Sequence, residues 1–242
     1  MDQLYFLLFP ATFFLLLAVE RYLPNRAQPR PTTRWIVTGI VFFTFAGIIN
    51  ATLAPALGAA LGGHTLFDLS RLGVVGGGVV GLLASTFLAY WLHRAYHRSN
   101  ALWRAAHQLH HAGERVDVAG FAFTHPIELA FATTIAPVTS LALGVSPGAA
   151  MLAGYLSFAL GLFEHLDMHT PQWLGRIVQR PEMHAIHHQR GVHAYNYGLP
   201  LWDMLFGTFR NPAAVTEPVG FWDGASRHVA ALLVGRDMTS PP

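Results

Sequence analysis

The chain has 242 residues, 52% of them hydrophobic and only 12% charged, and all 15 of its Lys-plus-Arg residues are arginine. An average soluble domain carries about 25% charged residues, so this composition excludes an ordinary water-soluble globule. The lack of cysteine excludes disulfides, zinc–thiolate sites and iron–sulfur clusters, and arginines that are scattered rather than striped leave no footprint for nucleic acid.

Long apolar stretches run at residues 4–19, 35–66, 72–92, 129–145 and 149–163. A membrane-crossing helix needs about 20 apolar residues. Stretches 35–66 and 72–92 meet that length; the others suit tilted, re-entrant or buried helices. The expected fold class is therefore all-α, a multi-span helical membrane protein with about four to five membrane helices or re-entrant segments. The first stretch opens "MDQLY", without the basic n-region of a secretory signal, and is followed by Glu20 and Arg21; it is expected to be retained. Arg21, Arg26, Arg30 and Arg34 then crowd one connection, which the positive-inside rule places in the cytoplasm. The "GVVGGGVVG" of residues 73–81 lacks the ending of a phosphate loop and predicts close helix packing through small residues. The pair 129–163 bends at Pro147-Gly148, leaving and returning. Residues 93–126 and 164–242 are therefore expected on one face, the cytoplasmic one. The tail beyond about residue 211 reads as weakly helical near 225–234, with fraying last residues. The expected division is 1–71 for N-terminal membrane helices, 72–212 for a His-rich catalytic unit and 213–242 for a tail.

Ten of the fourteen histidines fall into four clusters. His93 and His97 are spaced i, i+4, as are His165 and His169. His107, His110 and His111 form H-x-x-H-H, and His184, His187 and His188 repeat it. On a helix, offsets of 0, 3 and 4 fall within a stripe roughly 100° wide, so each triple is expected to aim its imidazoles at a common point. Imidazoles are costly to desolvate, and protonated neighbours repel. A bound divalent cation removes both difficulties, because it needs neutral imidazole and brings its own charge. Ten candidate donors exceed what one ion uses, and two ions with about five imidazoles each fit. Imidazole suits iron, zinc, copper and nickel alike. A membrane setting, where a hydrocarbon offers no carbonyl or phosphoryl oxygen to polarise, favours a redox metal such as iron. The alternative is a His-rich membrane metalloprotein of another class. A zinc-dependent hydrolase would want H-E-x-x-H, which neither pair offers. A haem protein has no use for two triples, and a metal transporter would place ionisable groups within its spans.

At these residues the chain resembles the integral membrane fatty acid hydroxylase/sterol desaturase superfamily. The resemblance rests on "HRAYH" (93–97), "HQLHH" (107–111), "HPIE" (125–128), "HLDMH" (165–169), "PEMHAIHH" (181–188) and "NYGLPLWDMLFGTF" (196–209). It implies a non-haem di-iron centre, O2 as co-substrate and a lipid-like substrate from the bilayer that is hydroxylated or desaturated. It also implies a helical membrane domain under a cytosolic His-rich cap. Carried over, the implied metal ligands are His93, His97, His107, His110, His111, His165, His169, His184, His187 and His188. His169 matches the hydroxylase branch, whereas sterol-desaturase-like members often lack a His there and carry Asn where Asp167 stands. His125, Glu128, Glu164, Asp167, His193 and Asp203, with Glu182, are candidates to support those ligands, since a metal-bound imidazole usually donates its other N–H to a nearby group. No catalytic residue beyond the metal ligands is expected. Without a dinucleotide fingerprint or cysteine, electrons must come from an external donor, a ferredoxin or a cytochrome b5-type protein with its reductase. Arg94, Arg98, Arg104 and Arg115 are the expected surface for such an acidic partner.

Overall fold

The structure, a computed structural model, describes residues 2–22, 28–61, 64–215 and 217–241. The described residues are helical throughout, with one isolated bridge, Gln189 to Val219, and no strand. Helix α1 (Asp2–Tyr22) is followed by α2 (Thr33–Ala60), α3 (Gly73–Arg98), α7 (Pro126–Leu143) and α8 (Pro147–His165) as the long elements. Among the described residues, three segments are long and apolar enough to cross a membrane: Thr33–Ala60, Ser70–Arg98 and Pro126–Leu143. Short elements form the cap: α4 (Asn100–Leu102), a π turn (Trp103–His107), α5 (Gln108–His111), α6 (Val118–Ala122), α9 (Pro181–His187), α10 (Pro200–Leu205) and α11 (Val229–Leu233).

The sequence punctuates these helices locally. His125 caps α7, its Nδ1 accepting from the Ile127 N–H at 3.1 Å, and Pro126 opens the first turn. Gly144 ends α7 in the left-handed region at φ 62°, which glycine adopts without strain. The Ser146 hydroxyl then caps α8 ahead of Pro147. Helix α3 packs most extensively on α8, and the glycine run makes this possible. A Cβ on Gly77 would stand 2.9 Å from that of Ala149, and one on Gly81 3.2 Å from that of Ala153. Helix α1 lies on α8 through the Tyr5 hydroxyl, which donates to the Met151 carbonyl at 2.9 Å, and stacks Phe13 on Phe43 of α2.

The two ends of the bundle differ. At one end the 64–72 connection binds the α7–α8 turn, with the Leu66 N–H donating to the Ala142 carbonyl at 2.8 Å. At the other, Trp35 donates from Nε1 to Asp117 at 2.9 Å and Arg34 donates to the Arg227 carbonyl at 3.2 Å. Arg21, Arg30 and Arg34 therefore flank the end that carries the histidines; Arg26, with residues 23–27, lies outside the described residues. The same end is bound by a buried ionic cluster. Arg115 reaches Asp117 at 2.7 Å and Asp167 at 3.0 Å, while Glu20 of α1 accepts from the backbone N–H groups of Val118 and Asp167. This corrects two expectations. Arg115 is buried and paired, so it is no surface for a partner, and Asp167 joins the base of the cap to α1.

The tail is bound to the cap as far as Met238, beyond which residues 239–241 are exposed. Leu232 and Met238 are buried. The Gln108 side chain donates to the Arg236 carbonyl at 2.8 Å and accepts from the Met238 N–H at 2.9 Å. A polar-looking tail packs because its few apolar side chains meet the outer face of α5.

Candidate metal centre

Nine imidazoles converge in two adjoining groups. His93, His97, His107, His111 and His187 form the first, and His110, His165, His184 and His188 the second, each with its ligand atoms within 4.8 Å of one another. Helix α3 delivers His93 and His97 from its last turns, α8 ends on His165, the π turn and α5 supply His107, His110 and His111, and α9 with the residue after it supplies His184, His187 and His188. The rings of His111 and His188 stack at 4.1 Å where the groups meet.

Neither triple aims at a common point, contrary to the expectation from spacing. His107 and His111 enter the first group while His110 enters the second; His184 and His188 enter the second while His187 enters the first. The helical angles explain it. Offset i+4 lies about 40° to one side of i, and i+3 about 60° to the other, so the stripe is wide enough to face two centres at once. Each triple gives its i, i+4 pair to one group and its middle residue to the other. The π turn before His107 leaves that pair buried, with a wider turn of the kind often found at functional sites.

His169 stands apart from both groups. Helix α8 ends at His165, and Leu166 turns extended at ψ 133°. The i+4 side chain accordingly leaves the helical face, 59% exposed, with Nδ1 3.7 Å from Glu182. The second group thus holds four imidazoles rather than five.

Outer contacts orient the rings. Nδ1 of His93 donates to the Tyr197 carbonyl at 2.8 Å, that of His187 to the Tyr195 carbonyl at 2.7 Å, and that of His165 to the Gly161 carbonyl at 2.7 Å. His107 Nδ1 donates to Glu128 at 2.8 Å, and His111 Nδ1 meets His193 Nδ1 at 2.9 Å. His184 Nδ1 lies 2.8 Å from the Gln179 amide and 3.8 Å from Glu164. Where Nδ1 donates to an oxygen in this way, in His93, His107, His165 and His187, Nε2 faces inward as a bare lone pair. Those inner nitrogens are 3.0 Å apart between His93 and His107 and between His107 and His111, and 3.1 Å between His111 and His187. In the second group the His110–His165 spacing is 3.2 Å, and His165–His184 and His184–His188 are 3.0 Å. Lone pairs held this close repel unless a cation lies among them. The buried His97 Nε2 likewise has no hydrogen-bond partner. The donor set therefore fits metal ions.

Electrostatics point the same way. Burial, and then the neighbouring imidazoles, hold His107, His111, His184, His187 and His188 well below the usual histidine range, and push His110 down to about 3. The rings are neutral at physiological pH, the form that binds metal.

The other expected residues have defined places. Glu128, Glu164 and His193 touch imidazoles as above. His125 lies outside both groups, its Nε2 donating to the Leu233 carbonyl at 3.1 Å. Glu182 accepts from Thr170 and pairs with Arg180 at 3.1 Å, bracing the chain beyond His169. Asp203 accepts from the N–H groups of Tyr197 and Gly198 at 2.9 and 3.2 Å, shaping the turn whose carbonyl faces His93; burial pushes its carboxyl up to about 6. Spacing did not reveal Gln179, Asn196 or the two tyrosine carbonyls. His193, Tyr195 and Asn196 all have positive φ, 41°, 68° and 48°, a conformation unusual without glycine and frequent at functional sites. The buried Asn196 donates to the Met183 carbonyl at 2.8 Å and accepts from the Arg210 N–H at 2.8 Å, holding the segment in place.

The chain is similar to known proteins. The chain is 33% identical over 140 residues to the ornithine lipid hydroxylase OlsE of Rhizobium tropici, covering 55% of this chain and 42% of that protein. It is 26% identical over 185 residues to sphinganine C4-monooxygenase 2 of Arabidopsis thaliana, covering 72% and 70%. It is also 26% identical over 140 residues to the very-long-chain aldehyde decarbonylase GL1-9 of Oryza sativa subsp. indica, covering 54% and 53%. It thus spans less than half the length of the ornithine lipid hydroxylase. No solved structure matches. The fatty acid hydroxylase pattern runs over residues 78–208, from the glycine seam through both imidazole groups to the Asp203 turn, and the chain belongs to the fatty acid hydroxylase family.

Proposed function

We propose that the protein is an integral membrane, non-haem di-iron oxidoreductase that uses O2 and external electrons to hydroxylate or desaturate an unactivated C–H bond of a lipid-like substrate. The observation that carries this is the pair of adjoining groups with inner nitrogens 3.0 to 3.2 Å apart. At a metal–nitrogen distance of about 2.1 Å, ligands at right angles sit about 3.0 Å apart and tetrahedral ones about 3.4 Å. The spacing favours ions of higher coordination over closed tetrahedral zinc. His93, His97, His107, His111 and His187 would hold one ion, and His110, His165, His184 and His188 the other.

Iron in these positions supplies the dioxygen chemistry that a saturated carbon requires. The chain's own part is to orient the imidazoles through Glu128, His193 and the Tyr195 and Tyr197 carbonyls, to exclude water by burying the rings, and to position the substrate carbon. The similarity to an ornithine lipid hydroxylase and a sphinganine monooxygenase supports a lipid-like substrate, which would enter from the bilayer. Without a cysteine to hold a cluster in this chain, electrons would come from a donor such as a ferredoxin or a cytochrome b5-type protein. Arg21, Arg30 and Arg34 at the histidine end support a cytoplasmic site.

The test pairs metal analysis of purified protein with mass spectrometry of lipids from cells with and without it, grown under isotopically labelled dioxygen. About two iron ions per chain and labelled oxygen in a lipid, or an O2-dependent new double bond, are expected. Full activity with zinc and no dependence on dioxygen would overturn the proposal.

A further inference from the structure

The cap carries two short helices whose apolar faces look outward. Helix α10 and its following residue expose Leu201, Met204, Leu205 and Phe206, Leu205 by 63%; α11 and its following residue expose Leu233 and Val234, the latter by 80%. These side chains are exposed to different degrees, and both faces adjoin helices with apolar outward sides. Phe206 packs on Tyr90 and Trp91 of α3 at 5.4 and 4.9 Å, and Trp202 on Phe87 at 5.1 Å, with its Nε1 donating to the Thr86 hydroxyl at 3.1 Å. On the other side, Leu233 and Val234 share a cavity wall with Ile127, which lies one turn from the exposed Phe131 on α7.

Levels can be compared. Glu128 bonds His107, and His107 meets His93, so the first turn of α7 and residue 93 of α3 lie at about the same height. Helix α10 packs on residues 86–91, about 3 to 10 Å deeper along α3. Just above it, the Arg94 guanidinium lies 5.0 Å over Trp91 and donates to the Tyr90 hydroxyl at 3.0 Å, the arrangement of an arginine reaching for headgroups beside an interfacial tryptophan. Several backbone groups around α10 are bonded within the chain: Asp203 accepts the Tyr197 and Gly198 N–H groups and the Thr208 hydroxyl, and its carbonyl accepts the Thr208 N–H at 2.9 Å. The end of α11 is closed likewise, His125 donating to the Leu233 carbonyl and Arg104 to that of Gly235 at 2.7 Å. A surface that meets water has no need of such closure, whereas one in hydrocarbon does.

We propose that α10 and α11 are seated in the acyl region of the leaflet next to the metal centre, so that the cap is partly embedded in the membrane at two places. The occupant of both faces is lipid acyl chain. The inference rests on the long helices crossing a bilayer and not on the chemistry proposed for the metals. It also puts the α3–α10 seam, bounded by Tyr197 and His93, within reach of a lipid's first methylenes.

A chain without cysteine permits clean single-site labelling. Leu205→Cys, Met204→Cys and Val234→Cys, each carrying an environment-sensitive fluorophore, are reconstituted with the full chain into phosphatidylcholine vesicles containing lipids brominated near the top of the acyl chain. Leu88→Cys on the outer side of α3 is the lipid reference, and Asp223→Cys, at a side chain 93% exposed, the water reference. Size-exclusion profile and metal content identify folded variants, and Met204→Cys substitutes for Leu205→Cys if the latter misfolds. Quenching by brominated lipid within about twofold of the Leu88 value, with weak quenching by aqueous iodide, is expected at both helices. The Asp223 pattern at α10 or α11 would overturn the proposal. So would protection from both quenchers, which would put a second protein chain on these faces.

Discussion

His187 is held from both sides, with Nε2 in the first group and Nδ1 on the Tyr195 carbonyl. His187→Ala should bind less metal and turn over at below about one hundredth of the parent rate, beyond the 10- to 100-fold typical of losing an outer partner. Metal analysis and lipid turnover check this, and normal turnover would remove His187 from the centre. Glu128→Gln keeps an acceptor for His107 but loses the charge, and should weaken metal affinity about 10-fold, read by competition with a chelator. His169→Ala should leave metal content and turnover unchanged, because that side chain sits in solvent beyond the end of α8. If it lowered both, the four-imidazole second group would be incomplete as described.

At the scale of elements, the α3–α8 seam depends on missing side chains. Gly77→Val would drive Cγ atoms past a Cβ already 2.9 Å from Ala149, so thermal unfolding in detergent should show a loss of about 1 to 3 kcal/mol. The long apolar helices, the small-residue seam and the α7–α8 hairpin just before Pro147 were legible in the sequence, because they follow from hydropathy and local punctuation; Pro126–Leu143 as a third segment long enough to cross was not. How the two triples divide was not. Spacing specifies a stripe on a helix, but a stripe with edges about 100° apart serves one centre or two depending on what faces it. The early end of α8 was equally hidden, since the i, i+4 pattern of His165 and His169 describes a helix only while the helix continues.

Across the whole molecule, acidity should act through the buried imidazoles. Their folded-state values lie below the ordinary 6.5. Below pH 6.5 the unfolded chain therefore binds more protons than the folded one, and stability falls as pH falls. Metal-free protein should melt progressively lower as pH falls from about 6.5 toward about 5. A melting temperature that rises on acidification would contradict the neutral, buried rings. Removing residues 229–242 should strip Leu232 and Met238 from the face of α5, at about 1.5 to 3 kcal/mol for each buried side chain. A lower melting temperature and lost metal would show that the tail braces the centre.

From residue order alone came the membrane class, the helical fold, the histidine clusters and the expectation of a metal, because apolar length, glycine runs and imidazole spacing act over one or two helical turns. Only the folded chain assigned five rings to one group and four to the other, turned Asp167 and Arg115 into a clamp on α1, and drew the tail across α5. Those outcomes depend on contacts between segments many residues apart in the chain, where burial and angle between elements choose among partners that local spacing leaves equivalent.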